Sequence, residues 1–181
     1  MKLTGVLVQA FLCLLIIFGS LLVAGLLTNK LPWSEPPGIF TRLFAYLTVN
    51  EAETEVGSIF PELRPQVYAA PAALMFDVGR RAVERLGWET LTVDPDDRKI
   101  EAVVTTKIFG FKDDLLLWVE VIDEQHSQLF ARSASRVGKG DLGANTRHLM
   151  NLFAMVEATA PVSAVAIGGV ESSPGNSSVV E

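Results

Sequence analysis

Two runs decide the fold class: Lys99-Ile100-Glu101-Ala102-Val103-Val104-Thr105-Thr106-Lys107-Ile108, then Leu115-Leu116-Leu117-Trp118-Val119-Glu120-Val121-Ile122. In the first, Ile100, Ala102, Val104, Thr106 and Ile108 alternate against Glu101, Thr105 and Lys107. That two-residue period is the mark of a half-buried strand. The second is almost continuously apolar and rich in β-forming side chains. Phe109-Gly110-Phe111-Lys112 turns the chain between them, and Asp123-Glu124-Gln125-His126-Ser127 turns it again into a third strand over residues 128–137. Short turns of this kind predict an antiparallel meander.

Upstream, residues 88–93 read as a further strand, joined to the meander by the turn Asp94-Pro95-Asp96-Asp97. Before it, residues 71–86 form an amphipathic helix with Met75, Val78, Ala82 and Leu86 as its apolar stripe. Pro71 is tolerated at a helix start, and Gly87 is placed to end the helix. Residues 65–69 are a first strand. Downstream, Asn145 or Thr146 can cap a last helix whose core stripe is Leu149, Leu152, Phe153 and Val156. These elements predict a two-layer α+β domain over residues 63–158, with both helices on one face of a mostly antiparallel sheet. Residues 159–181, rich in small side chains, Gly and Ser, are expected to be a disordered tail.

The first 28 residues are of another kind. From residue 3 to 27 the chain carries no charge and only Thr4, Gln9 and Ser20 interrupt the apolar run. As a helix, about 20 such residues cross the hydrocarbon of a bilayer. A cleaved signal has a shorter apolar core and ends in a small-x-small site. Ala24-Gly25 is instead followed by more leucine, so the run is expected to be an uncleaved transmembrane anchor. The cationic residues on its two sides, Lys2 against Lys30 and Arg42, nearly balance. The signal-like start favours a cytoplasmic N-terminus and a periplasmic or lumenal domain.

Residues 29–62 read as a juxtamembrane linker. Leu31-Pro32-Trp33-Ser34-Glu35-Pro36-Pro37-Gly38 is stiff through its prolines, and Trp33 suits the headgroup level. A short helix from Ile39 to about Val49 puts Ile39, Leu43, Tyr46 and Leu47 on one face, with Phe40 and Phe44 beside them. It packs either on its own domain or in the membrane interface, where Arg42 as its only cation gives little attraction to anionic lipid. Residues 51–55 are expected to be an acidic, exposed connection.

Charge and composition exclude several functions. The chain of 181 residues has a formal net charge of -6, from 15 Lys+Arg and 21 Asp+Glu. Such an acidic protein repels phosphate backbones at long range, so no nucleic-acid partner is expected. Cys13, the single cysteine, lies in the apolar run, leaving no disulfide, thiol nucleophile or Cys-based metal site for the domain. His126 and His148 stand far apart in sequence, His126 within a turn.

The unusual segment is Arg132-Ser133-Ala134-Ser135-Arg136-Val137-Gly138-Lys139-Gly140-Asp141-Leu142-Gly143-Ala144-Asn145. Strand alternation sets Arg132, Ala134 and Arg136 on one face and Ser133, Ser135 and Val137 on the other. Leu129 and Ala131 share the serines' face, which is therefore the buried one, and its serines need hydrogen-bond partners. On the open face one hairpin register sets Glu120 opposite Arg132, and a neighbouring one lays Arg132 over Trp118. Asp113-Asp114 opens the neighbouring strand, so these acids can meet Arg136. The pairing is either a lock that fixes sheet register or a polar pocket or partner surface at a sheet edge. Gly138-Lys139-Gly140 lacks the spacing of a P-loop. Its amides could hold an anion at the helix start, or Asp141 could cap that helix. Asp113, Asp114 and Asp141 could together bind a hard cation, although no metal or cofactor site is predicted. The candidate binding residues are Asp113, Asp114, Arg132, Ser133, Ser135, Arg136, Gly138, Asp141 and Asn145. No catalytic residue is assigned.

Phe111-Lys112-Asp113-Asp114, Arg132 to Gly138, and Asp141-Leu142-Gly143-Ala144-Asn145, supported by Trp88-Glu89 and Ile100-Glu101-Ala102, resemble the core of a bacterial and plastid family catalogued as domain of unknown function 1499. The resemblance covers residues 63–157 and adds Gly143 to the matching positions. It lacks the upstream Asn-Cys-Val-Ser-Ser segment that many members carry. The resemblance implies an exported or membrane-tethered domain and no known reaction. Three functions are compatible with these features. The leading one is a non-enzymatic, membrane-anchored extracytoplasmic domain that binds a protein partner or an envelope component. The second is an accessory subunit of a larger membrane complex, docked through residues 3–47. The third is an enzyme on lipid or cell-envelope substrates, with Asp113 or Asp114 as base and Arg136 holding an anion.

Overall fold

The computed structural model describes residues 2–106, 110–161 and 164–165. It is an α+β protein: an N-terminal apolar helix precedes an open antiparallel sheet that carries its helices on one face. Helix α1, Lys2–Thr28, is long and apolar enough to cross a membrane, and its side chains from Val6 to Phe18 are exposed. Helix α2, Ile39–Thr48, and a one-turn 3-10 helix at Pro61–Leu63 flank a short strand β1, Glu51–Glu53. Then follow β2, Gln66–Tyr68; α3, Ala72–Arg85; β3, Glu89–Asp94; β4, Lys99–Thr105; β5, Lys112–Val121; β6, Ser127–Ser135; α4, Ala144–Thr159; and β7, Ala164–Val165.

The meander forms as its alternation dictates. Ile100, Ala102 and Val104 of β4, Leu115, Leu117 and Val119 of β5, and Leu129 and Ala131 of β6 point to one side. There α3 and α4 cover them with Met75, Val78, Ala82, Val83, Leu149, Leu152, Phe153 and Val156, all of them buried. Gly79 of α3 lets the helix close on Leu117, where an added Cβ would come within 2.7 Å of a Leu117 methyl. Gly87, at a positive φ of 70°, ends α3 as its position predicts. Pro71 sits one residue earlier than expected, as the N-cap. The strand expected to reach Ile108 is described to Thr105; residues 107–109 lie outside the described residues.

The sheet is larger than expected. Its order is β3-β4-β5-β6-β2-β7, with β1 also on β6, giving seven strands, of which β1 and β7 are additions to those the sequence marks. Residues 51–55 are not an exposed connection. Glu51–Glu53 pair with Arg132 to Ala134, and Ala52 is buried between two outward glutamates. β2 takes the other half of the same edge, Ser127 to Leu129. Between them the Thr54 hydroxyl accepts the Ala131 N–H at 2.9 Å and donates to the Ala131 carbonyl at 3.2 Å, so both backbone groups of Ala131 are paired across the gap. A three-residue strand with charged ends gives no periodicity signal, which is why composition alone misreads it. Beyond α4, Ala164–Val165 pair with β2, so the expected tail contains an edge strand. Residues 162–163 and 166–181 lie outside the described residues.

The β5–β6 register differs from both expected ones. Leu116 stands opposite Arg132, Trp118 opposite Phe130 and Glu120 opposite Gln128. Arg132 therefore reaches across the other edge, to Glu51 at 2.6 Å and Glu53 at 3.5 Å. Trp118 stacks on Phe130, their ring centroids 5.2 Å apart.

Candidate functional site

Because β5 begins at Lys112, Asp113 and Asp114 lie inside the strand and point to opposite faces. This one fact divides the candidate residues. Asp114, Arg132 and Arg136 are on the open face. Asp113, Ser133, Ser135 and Asn145 are on the face covered by α4.

On the open face the Arg136 guanidinium donates through Nε and Nη2 to one oxygen of Asp114, at 2.9 and 2.6 Å. This is the Asp–Arg contact the sequence suggested, about half exposed on both sides. The same face carries the Trp118–Phe130 stack, Leu116 and the Arg132–Glu51–Glu53 cluster.

The covered side is a closed hydrogen-bond network with Asn145 at its centre. Ser133 donates to Asn145 Oδ1 at 2.6 Å; Asn145 Nδ2 donates to the Asn50 carbonyl at 2.8 Å and to Ser135 Oγ at 2.9 Å. Asn50, just before β1, donates in turn to the Gly138 carbonyl at 2.9 Å. Asn145 thus ties α4, β6 and the entry to β1 together, and it is wholly buried. It lies in the first turn of α4, so neither it nor Thr146 is the cap. The N-cap is Gly143 in a left-handed conformation, and the Asp141 carboxylate accepts the N–H groups of Gly143 and Asn145 at 2.7 and 2.8 Å. Burial pushes the Asp141 carboxyl above its ordinary pKa, against the pull of those amides. The protein's own carboxylate occupies the helix start, so the segment is not a cradle for an external anion.

Two residues of this network carried no clear sequence signal. Asn50 sits between two unremarkable segments. His148 follows Asn145 by three positions, a spacing that places both on one helix face. Its Nδ1 lies 3.3 Å from Ser133 Oγ and 3.5 Å from Asp113 Oδ2, and its ring and that of Trp88 meet edge to face with centroids 6.1 Å apart. Asp113 is 1 % exposed, and neither of its oxygens has a hydrogen-bond partner among the described residues. Burial lowers the His148 pKa, and the neighbouring Asp113 opposes that shift.

Asp, His and Ser are thus brought together, but not as a nucleophile relay. A relay needs the hydroxyl on one imidazole nitrogen and the carboxylate on the other. Here both face Nδ1, and Ser133 already gives its proton to Asn145. Nor can Asp113, Asp114 and Asp141 converge on a cation, since Asp114 lies across the sheet from Asp113. Arg136 and Asp113 are separated in the same way.

The segment 138–143 has a second set of contacts, to the end of α1, the segment after it and α2. The Leu142 side chain abuts Gly25 of α1, where an added Cβ would come within 2.7 Å. The Leu142 carbonyl accepts from Asn29 Nδ2 and its N–H donates to the Tyr46 carbonyl, each at 2.9 Å. Gly143 packs under Leu31, and Gly140 lies so close to the Leu47 carbonyl that no Cβ fits. Arg42, the only cation of α2, is 0 % exposed. It donates to both Glu62 oxygens, the Tyr46 hydroxyl and the carbonyls of Glu35 and Pro36, under the Phe60 ring. Trp33 packs edge-on to Tyr46.

The family model described as Protein of unknown function (DUF1499) matches residues 35–156, which takes in α2 and β1 as well as the polar network. No curated protein matches the chain.

Proposed function

The chain belongs to the DUF1499 family, and on that premise we propose that it is a non-enzymatic scaffold, anchored by α1, that offers the open face of its sheet to a protein partner or envelope component. The observation that carries this reading is the division of the polar motif. On the covered side Ser133, Ser135 and Asn145 are consumed in holding α4, β6 and the entry to β1 together. What faces outward is the Trp118–Phe130 stack with Leu116, rimmed by Arg132, Glu51 and Glu53 and by the Asp114–Arg136 pair. An aromatic centre with a charged rim is the usual anatomy of a protein-binding patch. The enzyme reading loses support, because it needs Arg136 and a buried carboxylate in one pocket and they lie on opposite sides of the sheet.

The anchor is read as uncleaved and the domain as extracytoplasmic. A reporter active only outside the cytoplasm, fused after Glu181, should be active; a silent fusion overturns that orientation. The binding role is tested by gentle extraction from native membranes and mass spectrometry of the intact assembly. A stoichiometric companion should accompany the wild type and be absent with Trp118→Ala/Phe130→Ala, assayed below that variant's own, lowered melting temperature. A bare monomer in both cases overturns the scaffold reading.

A further inference from the structure

We propose that α2 lies in the interface of the same bilayer that α1 enters, with Phe40, Phe44 and Leu47 inserted among the lipids. This rests on the reading of α1 as a membrane span. Helix α2 is turned opposite to ordinary expectation: its one charged side chain, Arg42, is fully buried, while Phe40 and Phe44 are 86 % and 72 % exposed. Phe40, Phe44 and Leu47 recur at helical spacing and form one stripe, with Ile39 beside it. The Arg42–Glu62–Tyr46 contacts fix the opposite face to the domain, so the helix cannot roll to hide that stripe.

The position of the stripe relative to α1 names its occupant. Leu142 touches Gly25 on α1 while its backbone bonds to Asn29 and to Tyr46, so the last turn of α2 is held beside the last turns of α1. Leu22, Leu26 and Asn29 are partly covered there, whereas residues 4–18 are exposed. About 20 residues suffice to cross the hydrocarbon, and the uncharged apolar run exceeds that by roughly a turn. The Gly25–Leu142 contact therefore falls at the edge of the hydrocarbon, and α2 is held at the same depth. With Arg42 buried, α2 offers no cation to anionic headgroups. Insertion is then purely apolar and should be indifferent to lipid charge and to salt, unlike that of a basic amphipathic helix.

The test uses the full chain with Cys13→Ser, carrying Phe44→Cys or Glu101→Cys labelled with an environment-sensitive fluorophore. Each is reconstituted in neutral phosphatidylcholine vesicles, with and without lipid spin-labelled near its ester end. Glu101 lies on β4, on the sheet face turned away from the helices. Flotation after alkaline extraction reports the span independently. The expected result is flotation of both proteins, blue-shifted and lipid-quenched emission at position 44, and neither change at position 101. Adding phosphatidylglycerol or high salt should leave the quenching unchanged. Flotation with unquenched emission at 44 overturns the placement of α2 and leaves the anchor standing. Shielding at 44 without lipid quenching means a second copy or another segment covers the stripe, and also overturns it. Failure to float overturns both.

Discussion

Truncating Asn145 to alanine should destabilise the domain more than any other single change in the polar motif. The side chain makes three hydrogen bonds at full burial: from Ser133, to Asn50 and to Ser135. Each buried bond contributes about 1 kcal/mol net. Two of the three partners keep another contact, since the Asn50 carbonyl still accepts the Ser135 N–H and Ser133 still faces His148. The desolvation penalty of an orphaned group thus falls mainly on the Ser135 hydroxyl. The expected loss is about 2–4 kcal/mol, or roughly 6–16 °C in Tm for a domain of this size. Near-UV circular dichroism of the full chain in detergent, following the tryptophans through thermal unfolding, measures it. Asn145→Asp is the sharper variant. It keeps shape and volume but points an acceptor at the Asn50 carbonyl, so it should cost at least as much. A loss below about 1 kcal/mol for both variants would mean that the network is water-replaceable, and the division of the motif into a structural and an open side would fail with it.

Other perturbations separate the remaining contacts. Arg42→Ala leaves the Glu62 carboxylate, with 10 % of its side chain exposed, without its counter-charge. A loss of about 3–5 kcal/mol is expected on chemical denaturation, with protease cleavage appearing near residues 36–50; an unchanged midpoint would show that the clip is idle. Arg136→Ala should barely move the melting temperature, because both partners of that pair are about half exposed; a fall of many degrees would make the pair the register lock. His148 gives a pH dependence. Its folded pKa lies below the unfolded value near 6.5, so the unfolded chain binds more protons as pH falls through and below about 6.5. Stability conferred by the neutral ring is present above that pH and lost below it. His148→Gln should flatten the slope of stability between about pH 7 and 5; an unchanged slope would assign it to other groups.

How much of this was legible depends on segment length and on who pairs with whom. The meander and both core helices carry strong periodicity, and Ile100 to Val104, Leu115 to Val119, and the Leu149–Val156 stripe all lie where alternation or helical spacing sets them. The strand Glu51–Glu53 is too short to show a period, and its outward glutamates are explained only by Arg132 across the pairing. The shift of β5 to begin at Lys112 moved Asp113 and Asp114 from a strand entrance to opposite faces, which changed the meaning of the site. The burial of Arg42 was illegible for a different reason. Its burial depends on a Glu62 brought round by the linker, and nothing local in α2 announces that partner. The buried serine face, by contrast, followed directly from Leu129 and Ala131.

The shared edge of β6 sets an order of events during synthesis. Glu51 pairs with Ala134 and Gln66 with Leu129, so the first two strands made have no edge to join until the sixth has left the ribosome. At about 5–20 residues per second that interval is several seconds. With α1 in the membrane, as proposed above, Val67, Tyr68 and the apolar side of α3 stand uncovered beside it throughout that interval. On that reading the nascent domain waits, open and tethered, and any factor that shields hydrophobic segments beside the membrane would find its substrate in that window rather than in the finished fold.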